Sequence, residues 1–146
     1  MSYAAESVSA EGTAKAKIIQ AAVLTHETAA LDFGVLVSNA AGGTVSVPAV
    51  PNPTPNDGGM TRAAGAVSSD KFTLSNLDTA VTYAVSVPAT VEIASGGDKM
   101  SVALKLSDTS VTGKASETLY VGGDLTVGAN QAAGSYTGTY SVTVTY

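Results

Sequence analysis

The stretch that decides the fold of this chain is GSYTGTYSVTVTY, which occupies residues 134 to 146. Its residues alternate in character, with threonine and serine on one face and tyrosine, glycine and valine on the other. Such alternation predicts a β-strand with one buried face. No proline or charged residue interrupts the strand, so nothing in it discourages another chain from pairing with its edge. The predicted buried face consists of Tyr136, Gly138, Tyr140, Val142, Val144 and Tyr146.

This final strand has no evident neighbour in the sequence. A β-sandwich normally continues from such a strand to a closing strand, whereas no residue follows Tyr146 here. We therefore expect the partner strand to come from the N-terminus of the same chain or from another molecule. The source of that strand decides the function.

The composition of the whole chain favours an all-β domain. Of the 146 residues, 13% are charged, and 15 glycines and 5 prolines separate runs rich in valine, threonine and alanine. The length fits one domain with its own core. A net charge of -5 argues against nucleic acid and anionic membrane surfaces as partners. No apolar run is long enough for a transmembrane helix, so membrane insertion is not expected.

Short alternating runs between turns predict about eight to ten strands, which is typical of a sandwich or a barrel. A barrel closes its own edges, whereas this chain offers an N-terminal arm and an unpaired final strand. We therefore predict an arm over residues 1–20 and a sandwich over residues 21–146. Besides the final strand, strands are predicted at residues 13–25, 28–37, 44–50, 71–75, 81–87, 90–94, 99–106 and 117–127, the last with a bulge or corner at Gly122 and Gly123.

The sequence contains no constellation that indicates catalysis, a metal or a cofactor. The single histidine, His26, is predicted to be a surface turn residue, since no nucleophile motif accompanies it. Carboxylates such as Asp57 and Asp70 stand singly beside turns. The paired glycines precede neither a helix nor a GK[ST] motif, so they predict turns rather than phosphate loops. We expect a protein that is not an enzyme and that has no cofactor or metal site.

Several patches resemble known families. The segment ANQAAGSYTGTYSVTVTY, residues 129 to 146, resembles the C-terminal signature of bacterial chaperone-usher fibre subunits, especially the archaic branch. The LDFG motif at residues 31–34, GGTVSV from Gly42 and SGGDKMSV from Ser95 resemble a domain-of-unknown-function family of secreted proteobacterial proteins. Together these patches span nearly the whole domain.

The resemblance implies an incomplete immunoglobulin-like β-sandwich that is completed by strand donation from a neighbouring subunit. It also implies a periplasmic chaperone and an outer-membrane usher as partners, and export to the cell surface. Carried onto this chain, the donor strand is Ala14, Ala16 and Ile18, extended upstream by Tyr3, Ala5 or Val8. The implied acceptor groove is formed by Leu31, Phe33, Val35, Tyr136, Tyr140, Val142, Val144 and Tyr146.

Two functions from different classes are compatible with these patterns. The first is a structural subunit of an extracellular pilus or fibre, a head-to-tail homopolymer joined by exchanged strands. The second is a self-contained, monomeric secreted binding module, adhesin-like or carbohydrate-binding, whose arm completes its own sheet. In that case the loop over residues 51–61 would contact a ligand.

Overall fold

Strand β10 forms the centre of the larger sheet in a computed structural model that describes residues 5–146. Every strand pair is antiparallel. The strands in chain order are β1 (Val23–His26), β2 (Val35–Val37), β3 (Gly43–Val47), β4 (Thr61–Ala64), β5 (Asp70–Ser75), β6 (Tyr83–Ser86), β7 (Thr90–Ser95), β8 (Asp98–Leu106), β9 (Ser110–Val111), β10 (Glu117–Val127) and β11 (Thr143–Thr145).

The strands form one large sheet and two small ones. The six-stranded sheet has the order β1-β5-β10-β8-β7, with β3 also paired to β10. A three-stranded sheet has the order β11-β6-β9, and β2 pairs with β4 alone. The first hydrophobic core lies between the six-stranded and the three-stranded sheets. There Leu74 and Leu119 pack with Tyr83 and Val85 of β6. The prediction of an all-β sandwich is confirmed.

A second hydrophobic core lies beside the first, under the other half of β10. Alternate residues of β10 point inward, and Leu125 and Val127 of this strand pack with Val45, Val102 and Phe33. This arrangement follows from the period of two in a strand, which places every second side chain on the core face. The same strand therefore supports both cores.

Gly122 marks the point at which β10 changes partner on one edge. The residues of β10 before Gly122, as far as Val121, pair with β5. Those after it, from Gly123 onward, pair with β3. The pairing with β8 on the other edge continues without a register shift. Of the predicted bulge or corner, the bulge is absent from the pairing with β8, and the other edge has a change of partner at this position. Glycine is required instead because the backbone from Val47 to Ala49 crosses directly over position 122.

The N-terminal part of the chain differs from the strand prediction. In the structure the name arm is used for residues 5–22, whereas residues 1–20 were predicted. These residues form no strand with any described residue, and β1 begins only at Val23. The alternation in residues 13–22 therefore has no neighbouring strand to pair with in this chain. Tyr3, named as an upstream extension of the donor strand, lies outside the described residues.

The predicted strand at residues 28–37 is also shorter in the structure. It is interrupted at Gly34, whose backbone φ is +77°. Only β2 remains as a regular strand. Asp32 makes an isolated bridge to Ser68. Strands β4 and β9 were not predicted, because TRAA does not alternate and a two-residue strand is too short to give a pattern.

The final stretch keeps most of its predicted alternation but not its predicted length as a strand, and Gly138 and Tyr146 of the predicted buried face are exposed. Side chains 136, 140, 142 and 144 are half-buried, while 137, 139, 141, 143 and 145 are exposed. Only β11 pairs regularly, with β6, and Thr137 makes an isolated bridge to Ala94 of β7. Among the residues described, none forms a helix of the length and apolarity needed to cross a membrane.

Candidate functional site

An apolar groove of about 790 Å³ lies between two segments of the chain. One is residues 30–38, which we call the N-terminal wall, and the other is residues 131–140, the C-terminal wall. The floor consists of side chains that also contribute to the second core, among them the half-buried Ile93 and Met100. This part of the core is therefore only partly covered by the described residues.

The C-terminal wall presents unpaired backbone. Thr137 accepts from the N–H of Ala94 at 2.9 Å and donates to its carbonyl at 3.0 Å. In an extended chain successive residues direct their backbone groups to opposite edges, so Tyr136 and Gly138 direct theirs away from β7. Residues 138–142 make no backbone–backbone hydrogen bond to any other described residue. Such an edge can accept a further strand.

The N-terminal wall is shaped by the LDFG motif. The carboxylate of Asp32 accepts a hydrogen bond from the backbone N–H of Gly34 at 2.8 Å, which closes a tight turn. Arg62 donates to the carbonyl oxygen of Phe33 and also pairs with Asp57. The wall is thus fixed by hydrogen bonds to its own turn and to β4. The opposite edge of β2 pairs with no described residue.

The structure brings some of the predicted acceptor residues together and leaves others elsewhere. Side chains from both walls line the groove. A register shift between Val35 and Leu36 turns Leu36 inward and leaves Val35 53% exposed, so Val35 is at the rim. The predicted residues that line the groove are Leu31, Phe33, Val35, Tyr136 and Tyr140.

The remaining predicted acceptor residues lie beyond the groove. Val142 and Val144 pack on the first core. Tyr146 is 56% exposed and lies against Tyr83, with ring centroids 4.9 Å apart. Its hydroxyl also accepts a hydrogen bond from the backbone N–H of Ala22 at 3.0 Å. These residues hold the end of the chain to the sandwich.

The predicted donor residues Ala14, Ala16 and Ile18 are all exposed, Ile18 to 91%. Lys17 is tied to the domain, since its Nζ lies 2.7 Å from Oδ2 of Asp78. Ile18 borders a small cleft on its own subunit beside this ion pair. Neither the ion pair of Lys17 nor the cleft beside Ile18 involves the part of the arm before Lys17.

A hydrogen-bonded cluster beside the C-terminal wall was missed by the sequence analysis. Asp70 is 5% exposed, and its carboxylate lies 2.6 Å from Nε2 of His26 and 2.6 Å from the hydroxyl of Tyr140. The His26 ring stacks on Phe72 at a centroid distance of 4.6 Å. His26 was predicted to be a surface turn residue. Its side chain is 53% exposed, but it is not in a turn, because it ends strand β1 and pairs with a buried carboxylate.

Residues 23–146 match the model of a family described as "Domain of unknown function (DUF4402)". The chain belongs to the DUF4402 family. The matched region begins with β1 and includes both walls of the groove, whereas the arm precedes it. No curated protein and no solved structure matches the chain. The expected membership of a domain family of unknown function is thus confirmed.

The Tyr140 hydroxyl gives this DUF4402 domain a testable response to alkaline pH. Burial, followed by the hydrogen bond to Asp70, raises the pKa of Tyr140 far above its ordinary value of about 10. Because the folded-state pKa is raised, the stabilisation is complete below pH ~10 and is lost as pH rises above it. We expect the free energy of unfolding to fall more between pH 9 and pH 11 in the wild type than in Tyr140→Phe.

Urea denaturation of both proteins at each pH measures this difference. Tyr140→Phe retains the other tyrosines and the lysines, so their titration affects the stability of both proteins equally. The difference between the two proteins therefore reports on Tyr140. An equal loss of stability in the two proteins would show that Tyr140 ionises as readily in the folded as in the unfolded state.

Proposed function

We propose that this DUF4402 protein is the structural subunit of an extracellular bacterial fibre and polymerises by donor-strand exchange. The arm of one subunit would enter the groove of the next and pair with its C-terminal wall. Two features found together support the proposal. The core is partly covered and is bordered by unpaired backbone, and residues 5–22 of the arm pair with no described strand of their own chain.

The pattern of the arm suits this groove. Even positions from Val8 to Ala16 carry valine, alanine or glycine, and odd positions carry serine, glutamate, threonine or lysine. Val8 is fully exposed. Extended at about 3.3 Å per residue, residues 8–16 would span roughly 30 Å. Such a strand could bury its even face on the groove floor and leave its charges in solvent.

Strand exchange of this kind leads to a filament. The arm and the groove are different surfaces, so their contact is heterologous and extends indefinitely unless its rotation closes a ring. Backbone hydrogen bonds to the wall would add to the apolar burial. No enzymatic activity or cofactor is part of the proposal.

The route to the cell surface follows from the resemblance to chaperone-usher subunits. A partly covered core with an unpaired edge is prone to wrong pairing before assembly. A periplasmic chaperone that fills the groove and an outer-membrane usher that releases the subunit would prevent this. The fibre would then lie outside the cell.

Charge substitutions on the two faces of the arm test the proposal. Glutamate at position 14 would have to enter the apolar floor without a partner, so we expect Ala14→Glu to remain monomeric. Thr13→Glu places the same charge on the solvent face, and we expect it to form filaments like the wild type. Negative-stain microscopy and light scattering of purified protein measure assembly.

Both positions are exposed in the subunit, so neither substitution should change its melting temperature by more than about 2 °C. Filaments formed equally well by both variants would refute insertion of the even face. A wild-type protein that stays monomeric at high concentration, without a chaperone bound, would favour the binding module instead.

The binding module is less well supported. It requires the arm to return and complete its own sheet, but residues 5–22 form no such strand in the chain. The loop over residues 51–61 is braced against the domain, since Asn56 exchanges backbone hydrogen bonds with Ser46 at 2.8 and 2.9 Å.

A further inference from the structure

The carboxylate of Asp70 lies in an unusual place. It is on the core face of β5, in alternation with Phe72 and Leu74. A buried carboxylate is costly unless hydrogen bonds satisfy it. Asp70 accepts from the Tyr140 hydroxyl and from the backbone N–H of Lys71 at 2.9 Å, and it pairs with His26. These bonds connect β1 and β5 to the wall of the groove.

The C-terminal wall has few other polar attachments near this point. The backbone on either side of Tyr140 is fixed at Thr137, through β7, and beyond the wall in β11, through β6. Between them, residues 138–142 lack backbone hydrogen bonds to described residues. Tyr140 lies in the middle of this interval, and its hydroxyl bonds to Asp70. Its ring also packs edge-on against Phe72, at a centroid distance of 6.5 Å.

We propose that Asp70 is a positioning residue that acts through Tyr140 and holds the C-terminal wall in the geometry that accepts a donor strand. The inference rests on the proposed function. It adds that the affinity of the groove depends on one buried side-chain hydrogen bond outside the strand-pairing contacts. His26 contacts Oδ1 of the carboxylate, whereas the Tyr140 hydroxyl bonds to Oδ2.

The physical basis is preorganisation of an otherwise unpaired edge. An incoming strand can pair with the wall only if the backbone of residues 136–140 is extended and stationary. Ordering that backbone during binding would subtract from the affinity. The bond from Tyr140 to Asp70 removes part of this entropic loss in advance. The Tyr140 hydroxyl is protonated at neutral pH, as tyrosine hydroxyls ordinarily are, and can therefore donate to Asp70.

Tyr140→Phe tests this role because it removes only the hydroxyl and retains the ring packing. Tyr120→Phe is the matched control. Tyr120 is half-buried on β10 and does not line the groove, so loss of its hydroxyl should leave the C-terminal wall unchanged. The measurement is fluorescence anisotropy of a labelled synthetic peptide of residues 5–16 binding to the dilute full-length protein.

We expect Tyr140→Phe to weaken peptide binding on the order of tenfold and Tyr120→Phe by less than about twofold. Asp70→Asn retains an oxygen that can accept from Tyr140, so it should bind nearly as well as the wild type. Asp70→Leu should bind as weakly as Tyr140→Phe. Equal affinities for Tyr140→Phe and the wild type would overturn the inference while leaving the proposed function intact.

Hydrogen exchange provides a readout that needs no peptide. The amides of Thr137 and of β11 are paired on either side of residues 138–142, so loosening of these residues should expose both amides more often. We expect faster exchange at these amides in Tyr140→Phe and unchanged exchange in Tyr120→Phe. Unchanged exchange in both variants would contradict the positioning role. If the wild type bound no peptide, the proposed function would fail instead.

Discussion

Removal of residues 1–16 is expected to abolish filament formation and leave a folded monomer. The deleted segment contains the alternating apolar face from Val8 to Ala16. The deletion retains Lys17 and its ion pair with Asp78, as well as the matched domain from Val23 onward. Because the described part of the arm forms no strand with the domain, the melting temperature should change by less than about 2 °C.

The truncated subunit should also terminate the growth of wild-type filaments. It retains the groove and can accept an arm, but it has none to donate. Added to the wild type at a ratio of one to ten, it should shorten the filaments seen by negative-stain microscopy. A full-length protein in which the order of residues 5–16 is scrambled controls for arm length and composition. Filaments built from the truncated subunit alone would show that the arm is not the donor.

Substitution of Gly122 by alanine is expected to destabilise the domain by about 3 kcal/mol. A Cβ at this position would lie 2.6 Å from the backbone nitrogen of Ala49 and closer still to the carbonyl oxygen of Val47. Both are main-chain atoms and cannot move as a side chain could. The crossing that lets β10 exchange β5 for β3 would have to shift, and both neighbouring cores would be disturbed.

Thermal unfolding followed by circular dichroism measures this effect. For a domain of this length we expect the melting temperature to fall by about 10 °C. Gly97→Ala is the control, because position 97 lies in an open turn where a Cβ meets nothing within 4 Å. It should change the stability by less than about 0.5 kcal/mol. Equal stability of the two variants would mean that the crossing above Gly122 adapts without strain.

The sequence predicted those parts of the fold in which alternation is regular and the strand is paired. The predicted strand at residues 117–127 coincides with β10, and the one at residues 99–106 differs from β8 by a single residue. In the final stretch the alternation correctly predicted four half-buried side chains, at positions 136, 140, 142 and 144, but Gly138 and Tyr146 of the same predicted face are exposed. It overestimated the regular strand, because hydrogen bonding depends on a neighbour whereas side-chain alternation does not.

The candidate site was only partly visible in the sequence. The sequence predicted groove residues on both walls. These are Leu31 and Phe33 on the N-terminal wall and Tyr136 and Tyr140 on the C-terminal wall. The floor was not expected, since Met60, just before β4, and Met100, in β8, reach it from segments far apart in sequence. The Asp70 cluster had one sequence signal, which was the position of Asp70 two residues before Phe72. A carboxylate in that position shares the core face, but its partners are 44 and 70 residues away.

The amino-acid sequence by itself determined the all-β class, the faces of the long strands and the alternation of the arm. These properties are local, since they depend only on side chains two residues apart. Tertiary structure alone decided where β10 changes partner, which backbone edges remain unpaired and which side chains meet at Asp70. Those features depend on which distant strands lie side by side, and no local pattern encodes that arrangement.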